Sequence, residues 1–158
     1  MIRDLIDNIN NLCNKYQSEY EIFILYIEIK KILLQLNNNI LHELLNYNYI
    51  DTININEYYK YIIYSSNLFD IILIKWNKNS ESKIHDHPEK GCFMKILSGK
   101  LCEETYDANI KLLEKNTLNI NDIGYRISNR LLHKIIALDD TYSLHVYVPG
   151  KYKSIYYN

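Results

Sequence analysis

The stretch Lys83-Ile84-His85-Asp86-His87-Pro88-Glu89-Lys90-Gly91-Cys92-Phe93-Met94-Lys95-Ile96-Leu97-Ser98-Gly99-Lys100-Leu101 decides the fold. Residues 83–87 and 92–97 read as two short strands, and a third runs from 100 to 106. Side chains alternate across a strand, so His85 and His87 leave the same face and Asp86 leaves the other. Asp86 therefore points toward backbone or solvent, where it can fix the strand end or a neighbouring loop. Two histidines spaced in this way are a weak metal signal alone. A third, His133, opens a later strand.

Working outward, the same period near two recurs at 68–76, 110–114, 117–120, 133–138 and 142–148, with turn residues between the runs. Short strands without intervening helices predict a mainly β fold, a jelly roll or small barrel that closes its edges and leaves a cavity in its mouth. Upstream the period changes. Ile2, Leu5, Ile6, Ile9 and Leu12, then Ile22, Ile24, Leu25, Ile27, Ile29, Leu33 and Leu34, recur at helical spacing. Ser18 followed by Glu21 is a capping-box pattern, and the asparagines at 37–39 end the second helix. A short third helix is expected at 41–45, where His42 is a surface or packing residue. The chain of 158 residues is thus expected to form one domain, with a helical segment over 1–50 packed outside a barrel over 53–158.

Composition narrows the function. Lys and Arg number 18 against 19 Asp and Glu, and no basic stripe stands apart, which excludes a nucleic-acid footprint. No apolar run approaches the roughly 20 residues of a membrane span, and the N-terminus has acids where a signal peptide needs an apolar block. A cytoplasmic, monomeric protein with no membrane partner is expected. Cys13, Cys92 and Cys102 are an odd, sparse set that suits a reducing compartment rather than a disulfide framework. The 16 tyrosines spread along the whole length and individually carry little information.

The pattern His85-x-His87, four residues, Cys92, six residues, Gly99, with His133 later, has the spacing of the cupin metal motifs. Most cupins place a metal-ligating glutamate where Cys92 stands. With Ile120-Asn121-Asp122 and Ser143-Leu144-His145-Val146-Tyr147-x-Pro149, the sequence from about 58 to 149 resembles cysteine dioxygenase. That resemblance implies a cupin fold and an iron(II) ion held by His85, His87 and His133. It further implies L-cysteine and O2 as substrates, and Cys92 and Tyr147 as the pair that forms a thioether crosslink in animal-type enzymes. The Val148–Pro149 bond matches one that is cis in those enzymes. Three neutral ligands leave the ferrous charge uncompensated, so such a site should welcome a thiolate, and both atoms of O2 passing to sulfur give a sulfinic acid.

Ser143, His145 and Tyr147 share one face of a strand, and Tyr142, Leu144, Val146 and Val148 share the other. Read alone, the polar face is a solvent-facing edge. Beside the iron motif it becomes the relay that the resemblance implies, with the Tyr147 hydroxyl donating toward the substrate. Cys92, read alone, is an inert buried thiol, and Cys13 and Cys102 keep that reading. The family's substrate-carboxylate arginine lies in a Tyr-x-Arg segment just before the barrel. Here Tyr58-Tyr59-Lys60 puts lysine in that place, with Tyr58 beside it, unless Lys60 is an ordinary exposed strand lysine. Family members often carry a further hairpin or tail beyond the position of Pro149, so a more open cavity is expected here. Three other readings stay open: a dioxygenase of 3-mercaptopropionate or cysteamine, a non-catalytic metal-binding cupin, and an isomerase-type cupin using another metal.

Overall fold

The computed structural model describes residues 1–37, 39–55, 57–127 and 131–157. Helices α1 (Ile2–Lys15), α2 (Ile22–Gln35) and α3 (Asn39–Leu45) come first. The capping box forms as its sequence predicts: Ser18 Oγ accepts from the Tyr20 amide, and the Ser18 amide donates to Glu21 Oε2 at 3.2 Å, opening a 3-10 turn that leads into α2. α2 stops at Gln35, just ahead of the asparagine run, of which Asn38 lies outside the described residues. α1 buries Leu5 and Ile9 and α2 buries Leu25, Ile29 and Leu33, one face at helical spacing, whereas Ile24 and Leu34 of the same apolar run lie on the exposed side of α2.

Strands β1 (Asp51–Ile55), β2 (Tyr58–Ser65), β3 (Asp70–Trp76), β10 (Thr141–Val148), β5 (Gly91–Ser98) and β8 (Ile123–Arg126) form one antiparallel sheet, adjacent in that order. The second sheet runs β11 (Tyr156–Tyr157), β4 (Ile84–His85), β9 (Leu132–Ala137), β6 (Leu101–Tyr106) and β7 (Leu112–Leu118). Alternation along β3 and β10 divides the apolar residues into two cores. Ile71, Leu73, Leu144 and Val146 pack under the helices, whereas Ile74 and Trp76 join Met94, Ile96, Leu101 and Ile135 in a second cluster between the sheets. Ser143, His145 and Tyr147 necessarily face that interior.

Several boundaries differ from the expected ones. Residues 58–64 do not precede the barrel: they form β2, a full member of the larger sheet. Tyrosine-rich sequence suits a pleated, half-buried surface, but here it lacks clean alternation because a bulge shifts the register between Ile62 and Tyr64. The strands expected at 110–114 and 117–120 are replaced by one, β7 over Leu112–Leu118, exposed at the edge and therefore polar in the middle. β1, β8 and β11 are additional strands, and β11, at two residues, is too short to show a period in the sequence. β4 ends at His85, so His87 lies just beyond the named strand.

Gly99, at φ +77°, makes the tight turn between β5 and β6, and a Cβ there would collide with the Asp140 carbonyl oxygen. Val148–Pro149 is cis. No helix among the described residues is long and apolar enough to cross a membrane.

Lys95 shows how the helices are fixed to the sheet. Its side chain leaves β5 on the helix side, is 2% exposed, and donates from Nζ to Leu33 O (2.7 Å), which also accepts from the Leu36 amide (3.3 Å), and to Leu36 O (3.0 Å) at the C-cap of α2. Burial pulls its pKa below the usual lysine value. Lys95→Met is expected to remove this buried donor from the Leu36 carbonyl, Leu33 O keeping the Leu36 amide, and to lower the unfolding free energy by about 1–3 kcal/mol. Urea denaturation measures the loss, and metal binding by the folded variant should be unchanged.

Candidate metal site

His85 reaches the interior from β4, His133 from β9 and His87 from the turn that follows β4. His85 and His133 are direct cross-strand partners, which places their rings side by side. Nε2 of His133 lies 2.9 Å from Nε2 of His87 and 3.0 Å from Nε2 of His85. The three are the group of potential metal ligands among the described residues. Asp86 points away from them, as alternation requires. Its Oδ1 accepts from the Ile155 amide at 2.7 Å and its own amide donates to Ile155 O, so it fastens the last strand to the first histidine pair.

These nitrogens suit a cation better than they suit each other. His85 Nδ1 faces the Lys83 carbonyl at 2.8 Å and His133 Nδ1 faces Glu103 Oε1 at 2.7 Å, so both Nδ1 atoms carry the hydrogen. The Nε2 lone pairs of His85 and His133 then confront one another at 3.0 Å, an arrangement that a shared positive ion relieves. Ligand nitrogens about 2.0–2.1 Å from one ion and at right angles about it lie about 3.0 Å apart, the separation found here. Burial lowers the pKa of His85 to about 4 and those of His87 and His133 well below the usual imidazole value, which favours neutral imidazoles able to serve as ligands. His87 Nδ1 is buried without a hydrogen-bond partner among the described residues.

The polar face of β10 stands opposite. Ser143 Oγ lies 2.8 Å from His145 Nε2, and Tyr147 Oη lies 3.4 Å from His145 Nδ1. Ser143 Oγ also accepts from Trp76 Nε1 at 2.8 Å, which leaves its own proton for His145. The solvent-facing alternative for this face is thereby excluded: Ser143 and His145 are buried. Burial, reinforced by Lys60 and His85, lowers the pKa of His145 to about 3. Cys92 is the cross-strand partner of Tyr147, and its Sγ lies 3.8 Å from His145 Nδ1. Burial drives the thiol pKa to about 12 and pushes that of the Tyr147 phenol well above its usual value.

Tyr58 and Lys60 enter from β2. Lys60 is half-buried rather than an exposed strand lysine, and it lines the same cleft as His85, His133, His145 and Tyr147. Burial lowers its pKa, and among the described residues no carboxylate pairs with it. An adjoining cavity of about 260 Å³ continues outward past Lys60, Tyr147 and Tyr156. The expectation of an open mouth needs correction on this point, because β11 pairs with β4 and sets Tyr156 against His85, ring centroids 5.9 Å apart, as a wall of the cleft. His42 is exposed on α3, far from this chemistry, Cys13 is packed in the helical core, and Cys102 is half-exposed on β6.

Four neighbours of the site are not evident from sequence: Trp76, Glu103, Arg126 and Tyr156. Glu103 carries a signal, since it falls between the buried Leu101 and Thr105 at strand spacing. The adjacent Glu104, also buried, hides the phase by pairing with Lys115 on the other face.

Comparison with known proteins is consistent with this geometry. A family model described as cysteine dioxygenase type I matches residues 43–157. The chain belongs to that family. The cysteine dioxygenase type 1 of Rattus norvegicus is 31% identical over 90 residues, covering 51% of this chain and 45% of that protein. The chain thus spans about half the length of the curated relatives it matches. Among solved structures, the oxalate decarboxylase of Bacillus subtilis at pH 4.6 superposes with a TM-score of 0.58 at 16% identity, covering 67% of this chain and 29% of that one. KdgF from Halomonas sp. gives 0.54 at 16% identity, covering 64% and 87%. Both likenesses concern the fold alone, and the fold of this cysteine dioxygenase family member is a cupin, as the spacing of its histidines predicts.

Proposed function

We propose that this chain is an iron(II)-dependent dioxygenase that converts L-cysteine and O2 into cysteine sulfinic acid, with His85, His87 and His133 holding the metal. The observation that carries the reading is the Lys60 ammonium, without a carboxylate partner among the described residues, in the same cleft as His85, His133 and Tyr147. When bound, iron(II) supplies a Lewis-acidic, redox-active centre that favours the thiolate form of a substrate thiol and activates dioxygen. The protein's part is to bind and orient. Lys60 receives the substrate carboxylate, aided by the Tyr58 hydroxyl. The chain Trp76 to Ser143 to His145 holds one tautomer of His145, whose Nδ1 hydrogen is directed at the Tyr147 oxygen, leaving the Tyr147 hydroxyl proton free to point into the cleft. Apolar walls from Ile74, Trp76 and Ile135 limit water around the reacting sulfur. Both oxygen atoms are retained in the sulfinate, so no other co-substrate is consumed.

The test is oxygen uptake by anaerobically purified, iron-loaded protein across cysteine, 3-mercaptopropionate and cysteamine, with the product identified by mass. Cysteine sulfinic acid formed with one O2 consumed per product supports the reading. Metal binding without oxygen uptake on any thiol would leave a binding cupin instead. Lysine in place of the family's arginine favours a relaxed choice among carboxylate-bearing thiols, so 3-mercaptopropionate is the substrate to rank against cysteine.

The adjacency of Cys92 and Tyr147 leads to a further expectation. Joining Cys92 Sγ to the Tyr147 ring as a thioether removes two hydrogens, two protons and two electrons in all, and dioxygen is the oxidant that accepts them. Peptide mapping of aerobically cycled enzyme should show the two segments joined, two hydrogens lighter than their sum and resistant to reductant, in a fraction that grows with turnover. Separate peptides alone would show that the crosslink does not form here.

A further inference from the structure

Glu103 is 2% exposed on β6, in the five-stranded sheet, and its carboxylate is used at both ends. Oε1 accepts from His133 Nδ1 at 2.7 Å and Oε2 accepts from Arg126 Nη2 at 2.7 Å. Arg126 comes from β8 in the other sheet, opposite Cys92, and is itself fixed by Thr105 Oγ1 at 3.0 Å and the Tyr125 carbonyl at 3.0 Å. The ion pair therefore spans the barrel interior behind one metal-ligand candidate. A buried pair of this kind adds little net stability, because desolvation offsets its attraction, and apolar residues of similar volume would fill the space as well.

The three histidines are not supported alike. His85 donates to a neutral carbonyl, His87 Nδ1 has no partner among the described residues, and only His133 is backed by a carboxylate. The glutamate that most cupins place at the position of Cys92 would touch the metal directly, whereas here a carboxylate stands one residue behind it. Clamped by Arg126, it cannot swing forward to become a ligand.

We propose that Glu103, held by Arg126, is a positioning residue that locks His133 as the Nδ1–H tautomer, aims its Nε2 lone pair at the centre, and strengthens divalent-metal binding by placing negative charge behind that ring. The proposal rests on the three histidines holding a metal and is independent of thiol oxidation, so its failure and the failure of the dioxygenase reading are separable. Two measurements test it. Long-range 15N–1H correlation on the metal-free parent, with His133 identified against His133→Gln, should show the hydrogen on Nδ1; an Nε2–H form overturns the proposal without any variant of Glu103.

The second measurement is cobalt(II) affinity, read from visible absorption. Glu103→Gln alone would strand the Arg126 charge, so the comparison is Arg126→Met against Glu103→Gln/Arg126→Met, with melting temperatures of the metal-free forms matched. Gln retains the acceptor but not the charge. The double variant should bind cobalt(II) about 10- to 100-fold more weakly than Arg126→Met. Equal affinities would mean that the carboxylate serves packing only.

Discussion

His133→Ala is expected to lose both metal retention and oxygen uptake, with the barrel still folded. Its Nε2 is the atom that both other imidazoles approach, at 2.9 and 3.0 Å, and no other described side chain belongs to the group that could replace it. His85→Ala and His87→Ala should give the same result, because a facial set of three has no spare ligand. The parent, purified anaerobically, should carry about one iron per chain. His42→Ala is the control: that ring is exposed on α3 and should leave metal content and turnover unchanged. Metal analysis, oxygen uptake and circular dichroism on the four variants decide the matter. Full activity in His133→Ala would sink the ligand assignment, and an unfolded spectrum in one variant leaves the other two to carry it.

The site was legible where it obeyed strand geometry. His85 and His87, two apart, share a face by construction. The same rule separates Ser143, His145 and Tyr147 from Leu144 and Val146, and the structure divides them between the interior and the helix-covered core in that way. What sequence could not supply was adjacency between strands remote in the chain. Nothing in the run Leu101 to Tyr106 says that Glu103 will meet Arg126 of β8, since that contact depends on the stacking of one sheet over the other. Trp76 likewise becomes the start of the Ser143–His145 chain only because β3 pairs with β10 in a register that sets it opposite Thr141, near Ser143.

Failures at element boundaries have a related cause. β2 carries few signals of its own because one face meets the helices, the other meets the cleft, and a bulge interrupts the alternation. β11 is two residues long, too short for any period, and is held by Asp86 rather than by its own pattern. Asp86 could be assigned a direction from sequence, away from the histidines, but its partner Ile155 lay 69 residues away.

The correction to β2 gives Lys60 its significance, because as part of that strand its side chain lines the cleft shared with His85 and His133. Its half-buried ammonium, with its pKa lowered by burial and with no carboxylate partner among the described residues, is a cation waiting for an anion of the right length. A charge-assisted hydrogen bond of this kind is worth about 1.5–3 kcal/mol, so Lys60→Ala should lower kcat/KM for cysteine roughly 10- to 150-fold. Cysteamine has no carboxylate to lose, and the same variant should affect it far less. Lys60→Arg should tighten cysteine use, since a planar fork holds a carboxylate more rigidly than a point charge on a flexible stem, and should sharpen discrimination against 3-mercaptopropionate. The measurement is steady-state oxygen consumption with each thiol at matched iron content. If Lys60→Ala turns over cysteine as the parent does, Lys60 is a bystander and the carboxylate is held elsewhere, with the Tyr58 hydroxyl the nearest remaining donor on the same face of β2 and Tyr58→Phe the variant that would then carry the loss.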